Sequence, residues 1–169
     1  VVLPNGDVVA GGSFWVADGG AADNIARWDG TAWHPLGTGM NGSVLALEVM
    51  PDGSVVAGGA FTIAGGVLAR GIARWNGTAW SSLDTGCNGT VTALRVLHDG
   101  SLAVGGTFTQ VGSAPIAAER IALWSGSVWQ SMWSGFDDMV RAIVEQPNGD
   151  LVVAGQFLYS AGGLVQGLA

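Results

Sequence analysis

The chain has a single cysteine, Cys87, and no lysine among its 169 residues. One cysteine cannot form an internal disulfide, nor supply the thiolates of a cysteine-based zinc site. The six basic residues are all arginine, charged residues make up only 11% of the chain, and the formal net charge is -7. Because an acidic chain without a basic stripe repels phosphate, we expect no nucleic-acid partner.

Long apolar runs and helical periodicity are also absent, although the mean hydropathy is positive. The uncharged stretch 54–69 contains four glycines. It is shorter than the about 18 to 20 apolar residues of a membrane-spanning helix. We therefore expect no membrane span in this segment.

What the chain does contain is a repeat. Turn glycines stand at positions 6, 53, 100 and 149, a spacing of 47 to 49 residues. Tryptophans keep the same step at positions 28, 75 and 124, and again at 33, 80 and 129. Two residue types in one register make coincidence negligible, so each period corresponds to one structural unit.

Each unit is predicted to contain two hairpins. The apolar run 44–50 is followed by the turn 51–53 and a return strand, 54–59. The second hairpin turns at Asn76-Gly77, since an Asn-Gly or Asp-Gly pair supplies the positive φ values of a type I′ turn. A third turn, 39–42, leads into the next unit. Four short strands per period predict an all-β fold, a β-propeller of four-stranded antiparallel blades.

The repeat also predicts the blade boundaries within one propeller domain. Blade 1, with its first strand mostly missing, covers 1–43; blade 2 covers 44–90; blade 3 covers 91–139; partial blade 4 covers 140–169 and begins its third strand at Leu168. Both ends of these three and a half blades contain a second strand, so they overlap rather than complement each other. We expect a segment of a larger ring of about 6 to 8 blades, the alternative being an oligomer that closes the ring between chains.

Glycine and tryptophan give each predicted blade its wedge shape. Glycine pairs end the second strand and let neighbouring blades approach near the axis: Gly11 and Gly12, Gly58 and Gly59, Gly105 and Gly106, with Ala154-Gly155 in the fourth unit. Two tryptophans per blade fill the wider gap farther out: Trp28 and Trp33, Trp75 and Trp80, Trp124 and Trp129.

The order VVAGG…IARWNGTAWSSL, an apolar strand, Gly-Gly, a loop, then two aromatics around a turn, resembles the kelch repeat of galactose-oxidase-like β-propellers. The segments PNGDVVAGGSF and IARWDGTAW are similar to repeats in large secreted or surface proteins of bacteria. This resemblance implies a location outside the cytoplasm, in the periplasm, in the medium or at the cell surface.

The galactose-oxidase resemblance also suggests a copper site built from Tyr, Cys and His. The candidate ligands are Tyr159, Cys87, His34 and His98. They occupy different blade positions, and Cys87 is expected in a surface turn. We therefore expect no metal site and no cofactor.

Several polar patterns have a turn interpretation and a functional one. Asp52, Asp99 and Asn148 are single oxygen donors in short turns without the spacing of a calcium loop, so we favour turn chemistry. Asn41, Asn76 and Asn88 begin N-G-[ST], the glycosylation acceptor pattern. The same pattern arises wherever an Asn-Gly turn enters a Thr-rich strand, and we again favour the turn.

The arginines divide into two groups. Arg27 and Arg74 directly precede the first tryptophan of their units, where we expect them to stack on an indole or to bridge blades. Arg95 and Arg141 lie on first strands, where a polar channel would accept an anionic or sugar ligand. No Ser/His/Asp, Cys/His or paired-carboxylate arrangement recurs in register, so no catalytic residue is predicted.

Function is therefore expected in the loops that diverge between units, 14–24, 109–120 and 134–140. The candidate binding residues are Trp15, Asp18, Gln110, Glu119, Phe136, Asp137 and Asp138. We interpret the chain as a non-catalytic scaffold or binding module for a protein or glycan, an accessory part of a larger extracytoplasmic assembly. The alternatives are an enzyme or lectin whose active residues lie in other blades, and a propeller fragment designed to assemble into a defined oligomer.

Overall fold

The computed structural model describes residues 1–160 and the backbone of Gly163–Leu164, and all regular structure there is β. Blade 1 contains β1 (Val8–Gly11), β2 (Val16–Ala17), β3 (Gly20–Ala21), β4 (Ile25–Trp28) and β5 (Trp33–Pro35). Blade 2 contains β6 (Val44–Val49), β7 (Val55–Gly59), β8 (Ile63–Ala64), β9 (Val67–Leu68), β10 (Ile72–Trp75) and β11 (Trp80–Ser82). Blade 3 contains β12 (Val91–Val96), β13 (Leu102–Gly106), β14 (Gln110–Val111), β15 (Ile116–Ala117), β16 (Ile121–Trp124) and β17 (Trp129–Ser131). Blade 4 contains β18 (Val140–Glu145), β19 (Leu151–Gly155), β20 (Tyr159–Ser160) and β21 (Gly163–Leu164). The third strand predicted to begin at Leu168 lies outside the described residues.

Blades 2 and 3 are four-stranded antiparallel sheets, ordered β6-β7-β10-β11 and β12-β13-β16-β17. Blade 1 has three strands, β1-β4-β5, and blade 4 pairs β18 with β19. The first strand β12 contacts the first strands β6 and β18 on its two sides, so these strands form the inner edge of adjacent blades. This arrangement confirms the predicted fold class, a β-propeller of which about three and a half blades are present.

The hydrophobic core is divided into layers between blades. The layer between blades 1 and 2 contains Val9, Val44 and Val55, whereas Val56, one residue farther along β7, belongs to the layer between blades 2 and 3. Successive side chains of a strand point to opposite faces, and here a neighbouring blade covers each face. For this reason β7 is a continuous apolar run, buried along its whole length.

The two glycines of each pair have different neighbours. A Cβ atom on Gly58 would lie 2.5 Å from Cγ1 of Val91, on the next blade, and one on Gly105 would lie 2.5 Å from Cγ1 of Val140. A Cβ atom on Gly59 would instead lie 2.1 Å from the carbonyl oxygen of Ser43, which directly precedes β6, beside the irregularity that starts that strand. The first glycine therefore permits contact between blades, and the second permits the bulge within a blade.

The outer tryptophans connect successive blades. Within each blade the two indole rings lie 5.1 to 5.6 Å apart at a tilted angle. Nε1 of Trp80 donates to the carbonyl oxygen of Leu36 in blade 1 at 2.9 Å, and Nε1 of Trp129 donates to that of Leu83 in blade 2 at 3.1 Å. The second tryptophan of a blade thus both fills volume and bonds to the end of the preceding blade.

A short hairpin follows the second strand of each blade, which the sequence did not predict. We call these four elements, β2–β3, β8–β9, β14–β15 and β20–β21, the loop hairpins. Strand direction places them at the same end of every blade as the connections between blades. We call this end the loop face, and the opposite end, which carries the tight turns, the turn face.

Candidate functional site

The loop hairpins are anchored by a phenylalanine that recurs at the start of each loop. Phe61, Phe108 and Phe157 are each at most 2% exposed, and the equivalent Phe14 is half-buried. On the other side, a Cβ atom on Gly65 would lie 2.6 Å from Cδ1 of Trp80, so the hairpin of blade 2 lies directly on the outer tryptophan. The hairpins are therefore packed onto the blade rather than projecting freely from it.

Beyond this anchor the loops of blades 1, 2 and 4 expose apolar side chains. Seven side chains, with exposed fractions of 40% to 70%, form what we call the apolar rim: Trp15, Val16, Ile63, Val67, Leu68, Leu158 and Tyr159. They account for seven of the thirteen exposed large hydrophobic side chains within residues 1–160. Since exposed apolar groups concentrated on one face commonly mark an interaction site, the rim is the leading candidate surface.

A polar clip holds the loops of blades 2, 3 and 4 to the connection that precedes each of these blades. Oδ1 of Asn41 accepts hydrogen bonds from the backbone N–H groups of Thr62 and Ile63 at 2.8 and 2.9 Å. Oδ1 of Asn88 accepts the equivalent pair from Thr109 and Gln110 at 2.8 and 3.0 Å. The turn interpretation of these asparagines therefore matches their contacts, since their side-chain oxygens hold the loop.

Asp137 takes the same position in the connection to blade 4. Its Oδ1 accepts from the backbone N–H groups of Leu158 and Tyr159, both at 2.9 Å. These bonds, first the one from Tyr159, hold the pKa of Asp137 below its usual range. One oxygen of this predicted binding residue is thus engaged in a structural bond.

The predictions for Phe136 and Cys87 require correction. Phe136 was expected on a binding loop, but it is 3% exposed and its ring lies 4.2 Å from that of Phe157. Cys87 was expected in a surface turn, but it is also 3% exposed, and burial raises the pKa of its thiol. Each of these two residues directly precedes a clip residue, as the buried Met40 does. The side chain at this position fills the space beneath the loop hairpin.

The other predicted binding residues lie on the loop face and are exposed: Trp15, Asp18, Gln110, Glu119 and Asp138. Asp18 has a positive φ of 47° in the turn of its hairpin. Oδ1 of Asp138 accepts from the N–H of Met139, and Oε2 of Glu119 lies 3.4 Å from a guanidinium nitrogen of Arg120. The structure distributes these residues over blades 1 and 3 rather than gathering them into one pocket.

Arg70 is a loop-face residue that sequence reasoning missed. Its exposed side chain borders two adjoining clefts, of about 390 and about 300 Å³, between the loop hairpins of blades 2 and 3. Its carbonyl oxygen accepts from the N–H of Cys87 at 2.8 Å, which fixes its backbone to the connection between these blades. The only sequence signal was a charge in an otherwise apolar loop.

On the turn face the arginines bond within their own blades. Arg27 pairs with Asp7, and Arg74 bonds to both Asp52 and Ser54. The expectation that these arginines bridge blades is therefore wrong. Hydrogen bonds from Ser54, followed by the charge of Arg74, hold the pKa of Asp52 below its usual range.

The candidate copper ligands do not converge. Nε2 of His34 lies 2.6 Å from Oδ2 of Asp29, and Nδ1 of His98 lies 3.0 Å from Oε1 of Glu145. In residues 1–160 no group of three or more His, Cys, Asp or Glu side chains is placed to hold a metal ion. The described part of the chain also contains no helix of the length and apolarity that a membrane crossing requires.

Comparison with known proteins gives a match for part of the chain. Residues 51–77 match a family model described as a domain of unknown function (DUF5122) beta-propeller. The match spans the second and third strands of blade 2 with the loop hairpin between them, and it agrees with the propeller-like repeat. No curated protein matches the chain.

Proposed function

We propose that this chain is a non-catalytic β-propeller binding module that presents its loop face to a protein or glycan partner. The apolar rim is the observation that supports this proposal. Its side chains belong to blades 1, 2 and 4, where Val16, Ile63 and Tyr159 occupy equivalent positions, whereas blade 3 has Gln110 there. Trp15, the most exposed of them, reaches 70% exposure. An apolar surface of this kind is costly to leave in water, so contact with a partner is its most economical explanation.

Because the rim is anchored to the blades, we expect it to bind its partner as a rigid surface. Each loop hairpin of blades 2 and 3 is held by a buried phenylalanine, by a polar clip and by the outer tryptophan beneath it. A surface fixed before binding loses little conformational entropy when a partner docks. The scaffold role of the blades follows from this, since they hold the rim in place.

The remaining features of the proposal rest on composition and resemblance. The recurring carboxylates of the turn face are engaged in turn bonds and ion pairs, which favours a structural role over a catalytic one. A single cysteine, the absence of lysine and the kelch-type resemblance of the repeats favour an accessory module of an extracytoplasmic assembly. Fractionation of the source cells tests this location.

A photo-crosslinking experiment tests the binding face. A photoreactive amino acid is placed at Leu68 on the rim and, as the matched control, at Val128, which is 53% exposed in a turn-face turn of blade 3. Both proteins are incubated with the surface and secreted fractions of the source cells and with a glycan array. We expect crosslinked products from Leu68 and none from Val128. Equal crosslinking from both positions, or none from Leu68, would contradict the proposal.

A further inference from the structure

A cleft opens on the turn face between blades 1 and 2, away from the apolar rim. Its volume is about 420 Å³, which lies within the range of about 300 to 1,000 Å³ typical of small-molecule sites. Blade 1 contributes Arg27 to its wall, and blade 2 contributes Asp52, Trp75 and Asn76. The cleft therefore combines one aromatic ring with three planar polar groups.

The polar groups of the cleft are fixed by bonds within their own blades. Arg27 is paired with Asp7 through one guanidinium nitrogen, and the other N–H groups of its fork remain as donors. Oδ1 of Asn76 accepts three bonds from Thr78 and Ala79, so its side chain is held with the amide nitrogen as a donor. These groups are in place before any ligand arrives, which lowers the entropic cost of binding.

The charges of the cleft are balanced. Arg27 is paired with Asp7, and Asp52 is paired with Arg74, so each ionic group has a partner of opposite sign. A charged ligand would lose hydration without gaining an unpaired counter-ion. A neutral ligand with many hydroxyl groups fits better, because each hydroxyl can both donate and accept hydrogen bonds.

Trp75 provides the apolar part of the site. It is half-buried, its ring lies 5.4 Å from that of Trp80, and it lines the cleft. A pyranose ring has an apolar face of C–H groups that packs against an indole, with its hydroxyls directed to the sides. We propose that this cleft binds a neutral saccharide of one or two rings, which rests on Trp75 and is hydrogen-bonded by Arg27, Asp52 and Asn76.

The chain contains its own comparison for this site. At the next blade boundary the residue equivalent to Trp75 is Trp124, which is only 8% exposed, and Ser125 replaces Asn76. Arg74 stands there at the position of Arg27, while in blade 3 itself Leu123 replaces the arginine and Ser101 stands at the position of Asp7. Of these two boundaries, only the one between blades 1 and 2 therefore combines an accessible indole with the amide of Asn76.

Titration by NMR tests the proposal. The indole N–H resonance of Trp75 is followed while glucose, galactose, mannose, N-acetylglucosamine, maltose, lactose or cellobiose is added to about 50 mM. We expect at least one of these neutral sugars to shift the Trp75 resonance saturably. We expect glucuronate and glucosamine, the charged counterparts, to bind about tenfold more weakly or not at all.

Two variants locate the contact. Asp7→Ser with Arg27→Leu reproduces the Ser101–Leu123 pair of blade 3, which this fold already accommodates, and it should weaken sugar binding about tenfold. Asp150→Asn, on an equivalent turn of blade 4 outside the cleft, should leave binding unchanged. The proposal is overturned if none of the neutral sugars shifts Trp75, or if the double variant binds as well as the parent. Neither result bears on the loop face, which crosslinking at Leu68 tests separately.

Discussion

Substitution of Gly58 by alanine tests the close approach of blades directly. The new Cβ atom would lie 2.5 Å from Cγ1 and 3.1 Å from Cβ of Val91 on the next blade. Ordinary carbon contacts are about 3.5 to 4.0 Å, so the two strands would have to separate by about 1 Å. Such overpacking costs about 1 to 3 kcal/mol, against a gain of about 0.5 to 1 kcal/mol from the lower entropy of the unfolded chain. We expect a net loss of about 1 to 2 kcal/mol in the free energy of unfolding.

A double-mutant cycle isolates this contact. Val91→Ala alone removes two methyl groups from a fully buried position and should cost about 1.5 to 2.5 kcal/mol. In the Gly58→Ala background the same change should cost about 1 to 2 kcal/mol less, because it also removes the clash. The free energies are measured by urea unfolding at equilibrium, followed by tryptophan fluorescence.

The control for this cycle is Gly20→Ala. A Cβ atom on Gly20 would have its nearest neighbour at an ordinary distance of 3.6 Å, so we expect a change within about 0.5 kcal/mol. Additivity of Gly58→Ala and Val91→Ala within about 0.3 to 0.5 kcal/mol would refute the reasoning, since residues that do not touch behave in this way.

Three further predictions concern the polar clips, acid stability and the thiol. Asn88→Ala should destabilise the protein by about 1 to 2 kcal/mol in urea, because two loop N–H groups lose their acceptor, whereas Asn88→Asp should cost less, since Asp137 makes the same bonds. The pKa of Asp52 is lower in the folded state, so its stabilisation is present above the ordinary value of 3.8 and is lost as pH falls through the folded pKa. The urea midpoint should therefore fall less between about pH 6 and about pH 3 in Asp52→Asn than in the parent, and an equal fall would contradict this. Cys87 should react with a thiol reagent at about pH 8 far more slowly in the folded protein than in urea, and equal rates would show that it is not buried.

The blades could be predicted from the sequence because their main constraints recur at fixed spacing. Each close approach of blades requires a glycine, as Gly58 beside Val91 shows. Each tight turn favours an aspartate or asparagine before its glycine. Every repeat therefore meets these constraints with the same residue types. The continuous apolar run of β7 likewise follows directly from burial on both faces.

The loop hairpins could not be predicted, because strands of two residues are too short to show alternation. The Arg27–Asp7 and Arg74–Asp52 pairs were hidden for a different reason. Blade 1 has its carboxylate after the turn glycine, in N-G-D, whereas blade 2 has it before the glycine, in D-G-S. When the two blades are aligned, an aspartate of one therefore stands opposite a serine of the other, although in each blade a carboxylate pairs with the equivalent arginine.

The roles of Phe136 and Asp137 could have been predicted from the sequence. They align with Met40-Asn41 and Cys87-Asn88, but Phe-Asp matches neither pair in residue type, and the segment was interpreted as a variable loop. What the three pairs share is physical: a buried side chain followed by an oxygen acceptor. The partners of the indole N–H groups, 44 and 46 residues away, leave no such pattern.

Hydrogen exchange of the indole N–H groups tests the radial stacking of blades most directly. Trp80 and Trp129 donate to carbonyl oxygens of the preceding blade in buried positions, whereas Trp15 and Trp133 are 70% and 57% exposed. With the resonances assigned by single Trp→Phe variants, we predict exchange at least about tenfold slower for Trp80 and Trp129 than for Trp15 and Trp133. Exchange of Trp80 as fast as that of Trp15 would contradict the account.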